Sequence, residues 1–432
     1  MGITKTVDGE LSASKMRRRG PSTMEFLDAD ILCTIFSFLH LFDLVHCSVV
    51  CRSWNTVIKR LKLLQASCLK MQQLVSGTST SLDPSAEIDL EDFAMNHHRT
   101  SLIRGRIHID RWKGHSDRVS QCRMKKGLVL TGVGDKVIRL WSLNNYRCME
   151  EYSLPGASSL VDFDFDESKI VGLVGTRISI WRRNGQNSIF PSREGLFPKG
   201  LCMRYGDPEA VVGCEDGTAR VFDMYSKTCS RIIRTHSGPL MCLSLSDDQL
   251  ILSGSSLGRV TVSDPLADQP VATLKSMIST GGIKTLCFNP CSYMAFTGTT
   301  AGYVSCWDLR KMGQLWERRV SPNVVYSIEH LKKDTSVLVA GGIDGVLRVM
   351  DQETGGVLLS CVMDDKGTRS MPGDGQVVLE KRRGRRLSED VQIDKVDRNA
   401  RPPVTCLAVG MKKVVTTHND KYISLWKFNV FP

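Results

Sequence analysis

The chain has 432 residues, 41% of them hydrophobic and 24% charged, with a net charge of +11. That length exceeds one ordinary core, and the composition is that of a globular chain, which excludes fibrous and wholly disordered classes. Fifteen cysteines contain no Cys-x-x-Cys pair, so no structural zinc site, and no metal at all, is expected. Lying singly in apolar runs, as Cys122, Cys202, Cys242, Cys287 and Cys406 do, they read as reduced small hydrophobes of an intracellular protein.

Residues 1–22 are polar and basic, with Lys15 and Arg17 to Arg19, and read as a disordered tail without a secretory signal. Residues 23–64 form the first module. Ile31, Leu32, Ile35, Phe36 and Leu39 keep a helical period, and two more short helices are expected over 41–49 and 51–64. His40, Asp43 and His46 interrupt this apolar stretch where ionisable groups are most costly in lipid, so buried helices are expected and no membrane contact. Three helices in about forty residues make a thin core, and such modules dock a leftover apolar face on a partner. Residues 65–105 form a partly helical linker, helical over 62–74 and again over 86–97, and His97-His98 reads as a solvated doublet.

The remainder, 106–432, is periodic. Short strands end in an aromatic residue or its substitute at Trp141, Trp181, Phe222, Ser263, Trp307, Met350 and Trp426, in steps of 40, 41, 41, 44, 43 and 76. A four-stranded propeller blade repeats every 40–45 residues or so, and the last step holds one extra loop. Closure demands that no sheet edge be left open. The alternating run Arg106 to Trp112 is the candidate strand that completes the final blade. Residues 364–400, charged and without an aromatic, have the composition of a disordered loop. Their basic run Lys381, Arg382, Arg383, Arg385 and Arg386 is a candidate nuclear signal, and Ser388 follows it in a basophilic-kinase setting.

Residues 105–428 resemble the WD-repeat family. The resemblance assigns His115, Thr131, Asp135 and Trp141 to a hydrogen-bonded chain within the first blade, His236 to the same structural place as His115, Trp307-Asp308 to a copy of the dipeptide that names the family, and Trp426 to the end of the last repeat. The first module resembles the F-box at Leu27, Ile31, Leu32, Ile35, Phe36, Leu39, Leu44, Val50, Cys51 and Trp54, although Asp28 and His40 stand where that family favours proline. Together they resemble the F-box/WD-repeat family, which implies a mainly β fold: a seven-bladed WD-repeat β-propeller preceded by a small three-helix F-box and a helical linker. It also implies a non-catalytic substrate receptor, the F-box holding the Skp-type adaptor of a cullin-RING ubiquitin ligase and the propeller holding an unidentified protein substrate. The alternative is a WD-repeat scaffold outside any ligase. No phosphate loop, nucleophile elbow or paired metal-spaced histidines are present, so neither catalysis nor a cofactor is expected.

Carried over by position, Ser120, Leu201, Glu215, Met241, Lys284, Tyr326 and Asn419 are the candidate substrate contacts. With one lysine and no arginine, this set suits a partly apolar peptide and does not suit a phosphate reader. Nucleic acid is not expected, since no aromatic-basic stacking platform is evident. Cytoplasmic or nuclear residence, or both, is expected.

Overall fold

The computed structural model describes residues 29–39, 41–60, 62–68, 90–134, 136–154, 159–183, 187–189, 198–246, 250–266, 270–278, 280–372, 378–388, 391 and 393–429. Two compact units divide the chain, Met1–Phe93 and Ala94–Pro432. Leu27, Asp28, His40 and Asp135 lie outside the described residues.

In the first unit, helices α1 (Ala29–Ser37), α2 (Leu41–Ser48) and α3 (Arg52–Arg60) follow one another closely. Leu32 and Phe36, one turn apart on α1, meet Leu44 of α2 and Ile58 of α3, and these four are the buried centre. Trp54 stands edge-on to Phe36, ring centroids 5.3 Å apart, and its backbone N–H points at the Cys51 sulfur.

Helix α4 (Leu90–Arg104) starts four residues later than the expected linker helix and runs seven further. Glu91 and Asp92 at its start and Arg104 at its end complement the helix dipole. From Ala94 on it belongs to the second unit, where Leu102 is fully buried in a core shared with Trp426 and Phe428. His97 and His98 are likewise buried, contrary to their reading as a solvated doublet. The Lys412 backbone N–H donates to His98 Nδ1 at 2.9 Å. Burial above all, with the Lys412 ammonium, pushes both rings down to about 4, so they sit neutral under the propeller. A doublet's neighbours in sequence say nothing about what a tertiary contact will cover.

The propeller follows the periodicity. Five four-stranded antiparallel sheets span 119–153, 160–189, 200–234, 240–275 and 283–319, forming blades 1 to 5. The sixth sheet has nine strands. It comprises blade 6 (strands from Val325 to Pro372), a bridging strand Val378–Leu387, and blade 7. Blade 7 is made of Cys406–Gly410, Lys413–Thr417, Tyr422–Asn429 and, from the other end of the repeat region, Arg106–Lys113. That last strand pairs antiparallel with Tyr422–Asn429, His108 opposite Lys427 and Trp112 opposite Ile423, so the ring closes as expected.

Among the described residues of 364–400, strand and 3-10 turn stand where composition predicts a disordered loop. The first part of this stretch pairs with the bridging strand, Asp364 opposite Arg383 and Pro372 opposite Val378, and two short 3-10 turns follow. The bridging strand's other side pairs with the closing strand, Trp112 opposite Leu379 and His108 opposite Arg383. Few residues anchor it. Leu379 enters the core around Trp112 and Trp141, and Leu387 packs against Val346, Val362 and Val396. Pairing on both sides supplies the strand that composition withholds, because β structure is set by context more than by intrinsic preference. The basic run therefore lies on a folded strand.

Within blades, buried hydroxyls organise the packing. Trp141 donates its indole N–H to Thr131 (2.8 Å), and His115 Nε2 lies 2.8 Å from the same oxygen. Arg139 reaches His115 Nδ1 at 2.8 Å, which leaves Nε2 as the proton-bearing nitrogen. Trp307 repeats the motif with Thr297 (3.1 Å), and His236 contacts Ser253 at 3.0 Å. Asp308, beside Trp307, caps the next turn, accepting from the Arg310 backbone at 2.9 Å. In blade 7, Trp426 donates to Thr416 (2.9 Å), and the histidine comes from an unexpected place, His418, 2.8 Å from that hydroxyl.

Candidate functional site

The F-box positions divide into two groups. Leu32, Phe36 and Leu44 are buried, with Leu39 and Trp54 packed around them, so these residues hold the module together. Cys51 is half-buried. Ile31, Ile35 and Val50 face out, 48%, 39% and 64% exposed. Two residues that the sequence reading missed join them: Phe38 at 82% and Val49 at 78%. Ile31, Ile35 and Phe38 recur at i, i+4 and i+7, which places them along one side of α1. The signal was present, because an amphipathic helix with an apolar stripe wider than its small core requires has surface left over.

In the second unit, the seven innermost strands surround a channel of about 1340 Å³. Ser120, Leu201, Met241, Lys284 and Tyr326 each take the second position of an innermost strand, and all line the channel. At each of them the strand register slips by one residue, between Val119 and Gln121 in blade 1 and between Val325 and Ser327 in blade 6, for example. A bulge of this kind frees the extra residue from the ladder and re-aims its side chain. Thr405 and Asn419 also line the channel, whereas Glu215 lies in an exposed turn and is not among the lining residues.

Deeper in the channel lies a charged belt. Asp162 accepts from Arg123 (3.1 Å) and Arg204 (3.2 Å), and from the backbone N–H groups of Phe163 (2.9 Å) and Met203 (3.1 Å). Asp164 binds Lys125 at 2.7 Å and two further backbone N–H groups. Burial alone would raise its carboxyl, but the Lys125 and Arg123 cations outweigh it and hold it below the usual range. Sequence alone did not single out this belt, since it is assembled from three blades.

Glu329 is the member without a direct cation contact among the described residues. Its burial in the channel wall pushes it up to about 7, against the opposing pull of Arg123 and Arg204. The folded chain therefore holds this proton more tightly than the unfolded one, and stability present below the unfolded value near 4.5 is lost as pH rises through 7. Because the group is half-buried and meets channel water, the loss is about 2 kcal/mol, less than the full shift implies. Glu329→Gln is expected to be more stable than wild type by that amount at pH 8 and equal to it at pH 4.5. Urea midpoints at the two pH values check this, and a difference independent of pH would refute it.

Among the described residues, no three His, Cys, Asp or Glu side chains come together to hold a metal, and no helix is long and apolar enough to cross a membrane. The F-box domain profile matches residues 25–65. An F-box/WD-40 repeat-containing protein of Arabidopsis thaliana is 70% identical over 454 aligned residues, covering 100% of both chains. The chain belongs to the F-box/WD-repeat family. More distant likenesses are partial. The angio-associated migratory cell protein of Homo sapiens is 24% identical, over 57% of this chain and 60% of its own. The DENN domain and WD repeat-containing protein of Arabidopsis thaliana is 26% identical over 35% of this chain and 13% of its own. Each of the two units thus has a family counterpart, the helices in the F-box and the blades in the WD repeat.

Proposed function

We propose that this F-box/WD-repeat protein is the non-catalytic substrate-recognition subunit of a Skp-cullin-F-box ubiquitin ligase. The exposed apolar side of its helical module carries the reading. Ile31, Ile35, Phe38, Val49 and Val50 leave more apolar surface open than so small a unit needs, and an adaptor's groove would cover it. The channel mouth takes the target. Leu201, Met241 and Tyr326 offer apolar contact, while Ser120, Lys284 and Asn419 offer polar anchors. Both channel arginines, Arg123 and Arg204, are committed to Asp162, which argues against a phosphorylated target held by free guanidinium forks. Cysteines free of disulfides agree with a reducing cytoplasm or nucleus as the place of action.

Co-purification with the Skp-type adaptor and cullin tests the first half. Ile35→Glu with Val50→Glu alters only exposed positions, so the module is expected to stay folded by circular dichroism while adaptor capture falls at least tenfold or so. Wild-type protein that never captures the adaptor would leave the WD-repeat scaffold as the correct reading.

A further inference from the structure

The bridging strand Val378–Leu387 is hydrogen-bonded on both sides, so what it presents to solvent is its side chains. Pleating sends alternate residues to opposite faces. On one face Gly384 lies against Ile107, where a Cβ would come within 2.3 Å of that side chain. Arg386 of the same face donates to the carbonyls of Ile103 and Gly105, and Arg382 pairs with Glu380 at 3.2 Å. The opposite face carries Lys381, Arg383 and Arg385, all exposed and none with an ion-pair partner among the described residues. Register sets His108 of the closing strand beside Arg383, and both His108 and Arg106 are exposed as well.

Three unpaired cations thus recur at every second residue of one strand, about 6.7 Å apart. Like charges this close repel, and an anion spanning them relieves the repulsion. The scaffold is already ordered, so binding requires little loss of backbone freedom on this side. We infer that this row is a docking surface for an extended acidic peptide segment of a partner protein, with carboxylates alternating at the same spacing. Two observations favour a peptide over nucleic acid. No aromatic side chain stands in the row to stack a base. Acids also flank it, Asp110 opposite Lys381 and Asp364 opposite Arg383, and these repel a continuous polyanion more than a segment of discrete charges. The row belongs to the rim strands and not to the innermost strands that line the channel, so it is a second surface, separate from the channel mouth.

Fluorescence anisotropy with the full chain and a labelled peptide of alternating Glu and Ser tests the proposal, with duplex DNA of equal charge as the competing probe. The peptide is expected to bind, and Lys381→Gln with Arg383→Gln and Arg385→Gln to weaken it roughly tenfold, the combined effect of three exposed ion pairs. Raising NaCl from about 0.05 M to about 0.5 M is expected to abolish the difference, because the screening length falls from over ten to a few ångströms. Adaptor capture is expected to be unchanged in the same variant, so its failure would bear on the F-box and not on this row. Should the triple variant unfold, Arg383→Gln alone is expected to weaken the peptide two- to threefold or so. Peptide affinity indifferent to these substitutions, or DNA bound more tightly than peptide, would overturn the proposal.

Discussion

Asp162→Ala is expected to destabilise the propeller by about 3 kcal/mol, from the penalty of leaving buried cations unpaired. One carboxylate joins three blades, holding Arg123 of blade 1 and Arg204 of blade 3 from its place in blade 2, and it also satisfies two backbone N–H groups. Its own side chain is 4% exposed, but those of Arg123 and Arg204 are 17% and 25% exposed to the channel. Channel water therefore softens the loss, which places the expectation at the low end of the range for a broken buried pair. Asp162→Asn removes the charge and one of the two acceptors, since the single amide oxygen can accept from Phe163 N–H or from Met203 N–H but not from both. It is expected to lose about half as much, because a hydrogen bond to a charged group contributes about 1.5–3 kcal/mol and a neutral one about 1. Urea unfolding followed by tryptophan fluorescence measures both. A loss below about 1 kcal/mol for the alanine variant would mean that the arginines find water or other partners, and that the belt is not a structural joint.

Trp426→Ala should be more damaging still, by about 4–5 kcal/mol, the upper part of the range for removing a buried large aromatic side chain. The ring is 1% exposed and stands in the core between blades 6 and 7 with Ile109, Leu407 and Phe428. Its N–H also fixes Thr416, whose hydroxyl meets His418. Trp426→Phe keeps most of the volume and loses that hydrogen bond, so about 1–2 kcal/mol is expected, because Thr416 retains His418 as a partner. Domains are stable by only about 5–15 kcal/mol, so the alanine variant forfeits a large share and soluble yield should fall with it. Equal thermal midpoints for the alanine and phenylalanine variants would show that the cavity term is absent and the packing argument wrong.

Local signals with strict spacing were readable in the sequence. The residue ending each third strand marks all seven blades, the closing strand was announced by its alternation, and the bulged mouth residues follow from a fixed offset within each repeat. What escaped was whatever depends on contact between distant segments. His97 and His98 carry no mark of burial until Lys412 and Asp334 are brought to them. In the F-box the helical period sets Phe36 and Phe38 on opposite sides of one turn, but with apolar residues on both sides it does not say which of them the core covers. The charged composition of 378–387 hid a strand because two hydrophobic anchors and a glycine suffice where both neighbours supply hydrogen bonds.

That double pairing alters how the ring would respond to mechanical load. A closing strand at the free rim of a sheet can be peeled away one pair at a time when the chain before it is pulled. Here Arg106–Lys113 is gripped over eight residue pairs on one side and five on the other. Tension entering through the preceding helix meets two ladders in parallel, so the bonds share the force and do not fail in sequence.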